Sequence, residues 1–416
     1  MNIKNSIKFP RVTFLVGEFP DDIGSFVMDQ IDELSKLGLN VKIVALRKSS
    51  KPQASQILKD YKYIKNLKFI GVPRNIFFRY IKGLGLFFIN LFRHPTAIIN
   101  SLNPLIYGKV AFTLIPFYTS TYFLNHYEKL DILHAHFGQR GIYGAAVKNS
   151  GIKTKLITSF YGGDLSYFIE HTSKKIYSPL VEEGDLFLPL SDNFRQKLIE
   201  LGCNKKKIIT HRVGIDLKKF KYLDRKNSDI FKILMIARFV EKKGHRYLIE
   251  AISKVIKKNK KVSLTLVGDG PLKNEIIQLV YEKGLENYVK FICSIPNSRL
   301  PEFYYNSDLY VLPSVTASDG DKEGTPVSLI EAQSTGLPIL STIHSGIPEA
   351  VLNYKSGFLV NEKDSEAIYE KIMRLIGDIK LRKKFGKRGN IFVAQNYDKE
   401  KQAKKLLNLY RELVKN

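Results

Sequence analysis

Short apolar runs alternate with amphipathic stretches along the whole chain, and this alternation limits the folds that it can adopt. In the first half the runs lie at 12–16, 41–46, 132–136, 156–160 and 186–190. In the second half they lie at 232–237, 262–267, 289–292, 309–313, 339–341 and 357–360. Such runs, separated by helical segments, are typical of parallel strands that helices cover on both faces. Because 416 residues exceed what one core normally supports, the sequence predicts an α/β fold with two doubly wound domains.

A glutamate lies on either side of a predicted helix start in the second half. Thr325 is expected to cap this helix, Pro326 to take its first position and Gly336 to end it. Glu323 then lies in the preceding loop, and Glu331 lies within the helix. The unpaired N–H groups of a first helical turn bind anions, and carboxylates accept hydrogen bonds from sugar hydroxyls. The pattern therefore indicates a sugar-nucleotide site; the alternative is two ordinary solvent-exposed glutamates.

Two cations follow the first apolar run of the second half. Arg238 and Lys243 lie where the carboxyl end of a strand is expected, which is where doubly wound sheets bind ligands. Fixed positive charge that faces a developing anion stabilises a transition state strongly. We therefore expect this pair to stabilise a departing diphosphate with no metal and no cofactor. The alternative is that both are surface charges in a lysine-rich chain.

The spacing of Glu323 and Glu331 is similar to the E-x7-E signature of retaining glycosyltransferases with the GT-B fold. The surrounding residues resemble family 4 of these enzymes, of the exopolysaccharide and colanic-acid type. The resemblance implies two Rossmann-like domains that face a central cleft. Residues 1–210 would bind the acceptor and residues 211–393 the nucleotide sugar, while the last helix, within 394–416, would cross back to the first domain.

The resemblance also implies roles for individual residues of the second half. Glu323 would contact hydroxyls of the donor sugar, and Glu331 would hold the nucleotide ribose. Arg238 and Lys243 match the R-x4-K-G pattern of the family and would act in catalysis together with Glu323. The donor-binding residues would be Glu323, Gly324, Thr325, Val327, Ser328, Glu331, Arg238 and Lys243, with the diphosphate on backbone amides near Val327 and Ser328.

Four residues of the first half are candidates for the acceptor side. His136 ends a strand in a sequence that resembles the family's H-x-H-F, although a strand histidine is also commonly structural. Tyr161 stands where the family has a histidine, and a phenol with a pKa near ~10 is a poor base at neutral pH. Asp164 is expected to contact the acceptor hydroxyl, so His136 and Asp164 join the catalytic candidates. Ser25 replaces a threonine of the family pattern.

Asp319 and Asp321 offer a rival interpretation of the loop before Glu323. Two aspartates separated by one residue resemble the metal-binding D-x-D of the other glycosyltransferase fold. Here they lie in the wrong architecture for that role, so we expect no metal. The two cysteines, Cys203 and Cys293, cannot build a zinc site or a disulfide framework alone.

The net charge of +26 predicts an anionic partner. No helix-turn-helix, RNP or zinc-finger pattern accompanies it, which disfavours nucleic acid. The segment 76–127 mixes aromatic residues, among them Phe77, Phe87 and Phe88, with Arg and Lys, and has no apolar run long enough to span a bilayer. It is typical of helices that lie in a membrane interface. The alternative is helices packed on the first sheet.

The residues and the resemblance together predict a retaining hexosyltransferase. It would move a sugar from a UDP- or GDP-linked donor to a hydroxyl of a lipid-linked saccharide in cell-surface polysaccharide synthesis. With no signal peptide expected at the start of the chain, it would act in the cytoplasm, peripherally bound to the inner face of the cell membrane. Alternatives within the same fold are a sugar-nucleotide epimerase and a soluble-acceptor transferase. The alternative from another class is a basic nucleic-acid-binding protein.

Overall fold

The chain divides into two compact units. The structure, a computed structural model, describes residues 9–20, 24–50, 66–126, 129–225 and 228–415. The first unit comprises Met1–Leu190, Phe194–Gly214 and Lys399–Asn416, and the second comprises Ser191–Asn193 and Ile215–Asp398. The sequence-based boundaries lie at 210/211 and 393/394, a few residues from these.

The first unit is built on a six-stranded parallel sheet with the order β3-β2-β1-β4-β5-β6. Its strands are β1 (Val12–Phe19), β2 (Val41–Lys48), β3 (Leu67–Phe69), β4 (Ile132–His136), β5 (Lys155–Phe160) and β6 (Leu186–Pro189). Five of them coincide with predicted apolar runs. The exception is β3, a partly exposed edge strand of three residues that contains a lysine and therefore forms no apolar run.

The second unit repeats this topology, with the strand order β12-β11-β10-β7-β8-β9. Its strands are β7 (Phe231–Ile236), β8 (Val262–Val267), β9 (Val289–Ile292), β10 (Leu309–Leu312), β11 (Ile339–Thr342) and β12 (Gly357–Val360). All six were expected from apolar runs, and all pair in parallel. In both units the first strand lies at the centre of the sheet, where the strand order reverses, which is the arrangement of doubly wound sheets.

Helices connect the strands of both sheets. Those of the first unit are α1 (Gly24–Lys36), α2 (Ile76–Leu91), α3 (Pro95–Ser101), α4 (Pro104–Tyr107), α5 (Ile115–Asn125), α6 (Gly138–Asn149), α7 (Tyr167–Glu170), α8 (Ser178–Glu183) and most of α9 (Asp192–Glu200). Those of the second unit are α10 (His245–Lys258), α11 (Lys273–Glu282), α12 (Leu300–Tyr305), α13 (Val327–Ser334), α14 (Ile347–Ala350), α15 (Ser365–Gly377) and α16 (Ile379–Asn396). Among the described residues, no helix is both long and apolar enough to cross a membrane.

The last helix, α17 (Lys399–Lys415), returns to the first unit, as predicted. Its buried face contributes Leu406 and Tyr410 to the core beneath β1. The Tyr410 hydroxyl lies 2.7 Å from Nδ1 of His134, a residue of β4 that is fully buried. The C-terminal helix is therefore an integral part of the first unit.

The predicted start of α13 is wrong by one residue. The helix begins at Val327, and Pro326 is its N-cap, with φ −63° and ψ 115°. An N-cap keeps extended backbone and its own N–H lies outside the helix, so proline loses no hydrogen bond there. Thr325 is buried, and no side chain caps the helix. The predicted end is correct, because Gly336 adopts a left-handed φ of 81° just after the helix.

Candidate active site

Close backbone packing fixes the loop that carries Arg238. A Cβ on Gly268 would lie 2.1 Å from the carbonyl oxygen of Ala237, and one on Gly270 would lie 2.5 Å from that of Phe239. Only glycine permits such an approach. The loop leaves the Arg238 side chain exposed at the carboxyl end of β7, and no carboxylate of the described residues pairs with it. Arg238 is thus a positioned cation that is accessible to a ligand.

Lys243 and Glu323, both candidates from the sequence, form an ion pair. Lys243 ends a 3-10 turn, Glu241–Lys243, and its Nζ lies 2.6 Å from Oε1 of Glu323. Burial by itself raises the pKa of Glu323, but the charges of Lys243 and Lys242 outweigh it and hold the pKa below its ordinary value. Glu323 is therefore an ionised, hydrogen-bond-accepting group at neutral pH.

An ion pair and a hydrogen bond hold the loop before Glu323 against the 3-10 turn Glu241–Lys243. Lys242 Nζ lies 2.7 Å from Asp321 Oδ2, and the Ser318 hydroxyl donates to Glu241 at 2.6 Å. Asp319 accepts a hydrogen bond from the amide of Asp321, so its carboxylate stabilises its own turn. The described residues contain no group of three or more His, Cys, Asp or Glu arranged to hold a metal. Asp321 thus pairs with the 3-10 turn, and Asp319 stabilises its own loop.

A buried histidine holds the Glu323 backbone. The Glu323 amide donates to Nε2 of His344 at 3.0 Å, and Nδ1 of the same ring lies 2.6 Å from Oε1 of Glu362. Because Nε2 accepts from this amide, Nδ1 is the ring nitrogen that donates to Glu362. Glu362 also accepts from the Thr316 amide at 2.7 Å. His344 and Glu362 are not identifiable as site residues from the sequence, since they lie in later strand-to-helix connections and match no motif considered there.

The start of α13 combines unpaired amides with a buried carboxylate. The amides of Val327 and Ser328 have no hydrogen-bond partner within the described residues. One turn further on, Glu331 is buried and accepts a hydrogen bond from the Tyr304 hydroxyl at 2.7 Å. Burial and the neighbouring Glu331 charge hold the pKa of Tyr304 far above its usual value, so the phenol stays a donor. Tyr304 therefore helps to orient the Glu331 carboxylate.

Gly324 and Thr325, which directly follow Glu323, belong to the same packed loop. Gly324 and Thr325 are both buried. A Cβ on Gly346 would lie 2.5 Å from the Gly324 carbonyl oxygen, so the two loops touch through their backbones. The structure thus brings Lys243, Glu323 and Gly324 into one packed arrangement, with the α13 start directly following it.

The first unit places His136 and Tyr161 together at the carboxyl ends of β4 and β5. Nδ1 of His136 lies 2.7 Å from the Tyr161 hydroxyl, and the imidazole is fully buried. Burial and the nearby His211 lower the pKa of His136 to about 3, so the ring is neutral at physiological pH. Burial raises the pKa of Tyr161 well above its usual value. Tyr161 can donate a hydrogen bond but is not a base at neutral pH.

Asp164 organises the loop that follows β5. Its carboxylate accepts from the amides of Gly162 at 2.8 Å, Gly138 at 3.0 Å and Tyr161 at 3.1 Å. The side chain is buried beneath these amides. Asp164 therefore holds the Tyr161 backbone and the start of α6. Ser25 lies in the first turn of α1, and its side chain is outside what the structure describes.

Comparison with known proteins decides the family. Residues 218–392 match the family described as glycosyl transferases group 1. A protein named for colanic acid biosynthesis, WcaL of Salmonella typhimurium, is 31% identical over 86% of this chain and 88% of its own length. The amylovoran biosynthesis glycosyltransferase AmsK of Erwinia amylovora is 31% identical over 88% and 90%. The chain belongs to the group 1 glycosyltransferases. It is therefore an enzyme that transfers glycosyl groups, as predicted.

Two further similarities bear on this group 1 glycosyltransferase. The N,N'-diacetylbacillosaminyl-diphospho-undecaprenol alpha-1,3-N-acetylgalactosaminyltransferase of Campylobacter jejuni is 28% identical over 86% of this chain and 95% of its own length. The crystal structure of Anabaena HepE in complex with UDP and glucose superposes with a TM-score of 0.71 and 18% identity, covering 96% of this chain and 99% of HepE. Together with the family match, this likeness confirms the predicted GT-B fold.

Proposed function

We propose that this glycosyltransferase moves a sugar, with retention of anomeric configuration, from a UDP- or GDP-linked donor to a hydroxyl of a lipid-linked saccharide during exopolysaccharide assembly. The observation that carries the proposal is the ionised, buried Glu323 held by Lys243, directly before a helix whose first amides are unpaired. The names of WcaL and AmsK support the exopolysaccharide pathway. The spacing of Glu323 and Glu331 supports retention through the family resemblance.

The donor would bind to the second unit through three kinds of contact. The diphosphate would accept hydrogen bonds from the amides of Val327 and Ser328 at the positive end of α13. Glu331, whose carboxylate accepts a hydrogen bond from Tyr304, would also accept hydrogen bonds from ribose hydroxyls. Glu323 would accept hydrogen bonds from hydroxyls of the sugar. UDP in the HepE complex supports a nucleoside diphosphate as the ligand class.

Arg238 and Lys243 would stabilise the leaving group. As the bond between the anomeric carbon and the diphosphate breaks, negative charge grows on the phosphate oxygens. The exposed Arg238 and the partly buried Lys243 supply fixed positive charge for it. Lys243 would shift from Glu323 toward the phosphate when the donor binds. Charge compensation by two side chains is the reason that we propose a reaction without a metal or cofactor.

The acceptor hydroxyl forms the new bond to the anomeric carbon and must lose a proton. His136 is neutral but fully buried, and the raised pKa of Tyr161 makes it a poor base. We therefore assign the proton to the departing diphosphate oxygen. In the first unit, Tyr161 would donate a hydrogen bond to the acceptor, and Asp164 and His136 would position it. Ser25 is proposed to lie on the acceptor side.

The lipid-linked acceptor is supported by the Campylobacter relative, which is named for an undecaprenol-linked substrate. With such an acceptor, the enzyme would work in the cytoplasm at the inner face of the cell membrane. Nucleotide sugars carrying a radiolabel, incubated with purified enzyme and membrane extract, test the proposal. We expect one donor to label the organic phase and the Glu323→Gln variant not to do so. Label that stays in water would favour a soluble acceptor or donor hydrolysis, and no turnover of any donor would contradict the proposal.

A further inference from the structure

Helix α2 (Ile76–Leu91) buries polar residues and exposes apolar ones. The residues that it buries are Arg79, Gly83 and Asn90. The opposite stripe, spaced as one face of a helix, is apolar and exposed: Phe77, Ile81, Leu84 and Phe88. Phe77 is 65% exposed and Arg79 is 8% exposed, which reverses the arrangement that water imposes on a surface helix.

Specific hydrogen bonds explain why the polar side lies inward. The Arg79 guanidinium donates to the carbonyl oxygens of Pro73 at 2.9 Å, Arg74 at 3.1 Å and Thr113 at 3.1 Å. The Tyr118 hydroxyl donates to the Arg79 carbonyl at 2.7 Å. These bonds satisfy the buried cation and fix the rotation of α2 about its axis. The outward direction of the phenylalanines is therefore set by the packing.

Gly83 strengthens this orientation from the core side. A Cβ at this position would lie 3.1 Å from Cδ1 of Leu114, so the helix sits close on the segment that leads into α5. Phe87 also packs against the core of the first unit. It was expected to face the membrane together with Phe77 and Phe88, and that expectation is wrong for Phe87 because it lies on the inner side of the helix.

The apolar stripe continues beyond α2 into a wider exposed surface. Phe92 is 88% exposed, Leu105 is 95% exposed, and Phe112 is also exposed. We call the outer stripe of α2 with these three residues the apolar face. Phe92 follows Phe88 at helical spacing, and the Tyr80 hydroxyl of α2 donates to the Phe112 carbonyl oxygen at 2.7 Å. A large exposed apolar surface marks an interaction site.

The charges near the apolar face indicate what kind of partner it binds. From Ile76 to His126 the sequence contains no Asp or Glu, whereas it contains Arg79, Lys82, Arg93 and Lys109. Lys82, Arg93 and Lys109 are exposed. Large apolar side chains on a segment that carries cations and no carboxylates fit an anionic bilayer, where the rings enter the acyl boundary and the cations meet lipid phosphates.

The face also adjoins the edge of the sheet where the acceptor-side residues lie. Just before α2, Arg74 donates to Glu18 at the end of β1, at 2.8 Å, and to the Lys48 carbonyl oxygen at the end of β2, at 3.0 Å. Strands of a parallel sheet share their carboxyl edge, and His136 ends β4 at that same edge. The start of α2 is thus anchored beside the region assigned to the acceptor.

We propose that the apolar face inserts into an anionic lipid bilayer and that it presents the carboxyl edge of the first sheet to the saccharide of a lipid-linked acceptor. The proposal rests on the lipid-linked acceptor named above. Docking by this face would let the lipid tail stay in the bilayer while its saccharide reaches the protein.

Vesicle flotation tests the face directly. Wild-type protein is expected to bind phosphatidylcholine vesicles that contain phosphatidylglycerol more tightly than pure phosphatidylcholine vesicles. Salt should weaken this binding without abolishing it, because it screens the cations but leaves the insertion of the rings. The combined variant Phe77→Ser, Ile81→Ser and Phe88→Ser should bind roughly tenfold or more weakly.

A matched control replaces exposed apolar residues elsewhere. Ile277→Ser with Tyr281→Ser, on the exposed side of α11, should bind vesicles like the wild type. Wild-type protein that ignores anionic vesicles, or a triple variant that binds like the wild type, overturns the proposal. A dimer that the triple variant abolishes also overturns it, since the face would then belong to a second copy.

Donor turnover, measured in the same preparations, tests the proposed glycosyltransferase activity separately from the docking face. If the triple variant still releases nucleoside diphosphate from the donor but no longer binds vesicles or labels lipid, the face is a docking surface on an active enzyme. If wild-type protein binds vesicles but turns over no nucleotide sugar, the docking face stands and the proposed function fails.

Discussion

Lys243 Nζ lies 2.6 Å from Glu323 Oε1, and the two side chains are only 16% and 7% exposed. This ion pair joins the loop after β7 to the loop before α13, the two segments that the sequence singled out for donor chemistry. Since both charges are largely withdrawn from water, their interaction is screened much less than that of a surface pair. The pair therefore both stabilises the second unit and holds Glu323 ionised.

A double-mutant cycle measures this coupling. Lys243→Gln, Glu323→Gln and the double variant should give a coupling free energy above about 1 kcal/mol in urea unfolding of the second unit. The exposed pair Arg246 and Glu275, replaced in the same way, should couple by less than about 1 kcal/mol. Equal coupling in the two cycles would show that Lys243 and Glu323 form an ordinary surface pair.

Arg238→Ala should depress turnover more than substrate binding. If the guanidinium faces charge that develops only in the transition state, kcat should fall by roughly 100-fold while KM changes little. Arg246→Ala, which removes an exposed arginine of the same unit, should leave both constants unchanged. A variant at Arg238 with a raised KM and normal kcat would assign this residue to ground-state binding instead.

EDTA should leave the wild-type rate unchanged, because Arg238 and Lys243 are proposed to supply the positive charge that a divalent metal would otherwise provide. The measurement is donor turnover before and after chelation. A rate that EDTA abolishes and manganese restores would revive Asp319 and Asp321 as metal ligands.

The first unit should lose stability as the pH falls below about 6.5, the ordinary pKa of histidine. Burial lowers the pKa of His211 to about 4, although a hydrogen bond to the Gln402 carbonyl partly opposes this. Between these values the unfolded chain binds a proton that the folded chain does not, so the free energy of unfolding decreases as the pH falls. From pH 7 to pH 5 this one histidine should account for about 2 kcal/mol.

Hydrogen exchange of β4 and β5 in urea, at pH 7 and pH 5, checks this expectation. The variant His211→Gln should lose less stability on acidification than the wild type. His171→Gln, which changes an exposed histidine of the same unit, should behave as the wild type does. The same acid sensitivity in wild type and His211→Gln would mean that other groups dominate.

Most of the fold could be predicted from the sequence because the strands are buried on both faces. Runs such as 309–312 and 357–360 contain no charged residue and are buried at every position, so they remain recognisable without their partners. The edge strand β3 (Leu67–Phe69) was missed because it is short and partly exposed. The start of α13 was displaced because proline suits both the N-cap and the first helical position.

The site could be predicted from the sequence only at residues that belong to a recognisable motif. The motifs single out Lys243 and Glu323 as site residues but do not predict their ion pair. Tyr304, His344 and Glu362 match no motif and reach the site from elements distant in sequence. The rotation of α2 about its axis could not be predicted either. Aromatic residues occur on most sides of this helix, so its sequence does not show which apolar side faces the core. The bonds from Arg79 to three carbonyl oxygens, with the close approach at Gly83, determine which side lies inward.

The most direct test of the donor site is the affinity for nucleoside diphosphate of wild-type and Glu331→Gln protein, measured by calorimetry with UDP and GDP. The substitution keeps the size of the side chain but removes the charged acceptor proposed for the ribose hydroxyls. Charge-assisted hydrogen bonds contribute roughly 1.5–3 kcal/mol, so the affinity should fall about tenfold or more. Glu286→Gln, an exposed position of the same unit, should bind as the wild type does. Unchanged affinity in a folded Glu331→Gln protein, or no binding of either nucleotide by the wild type, would contradict the account.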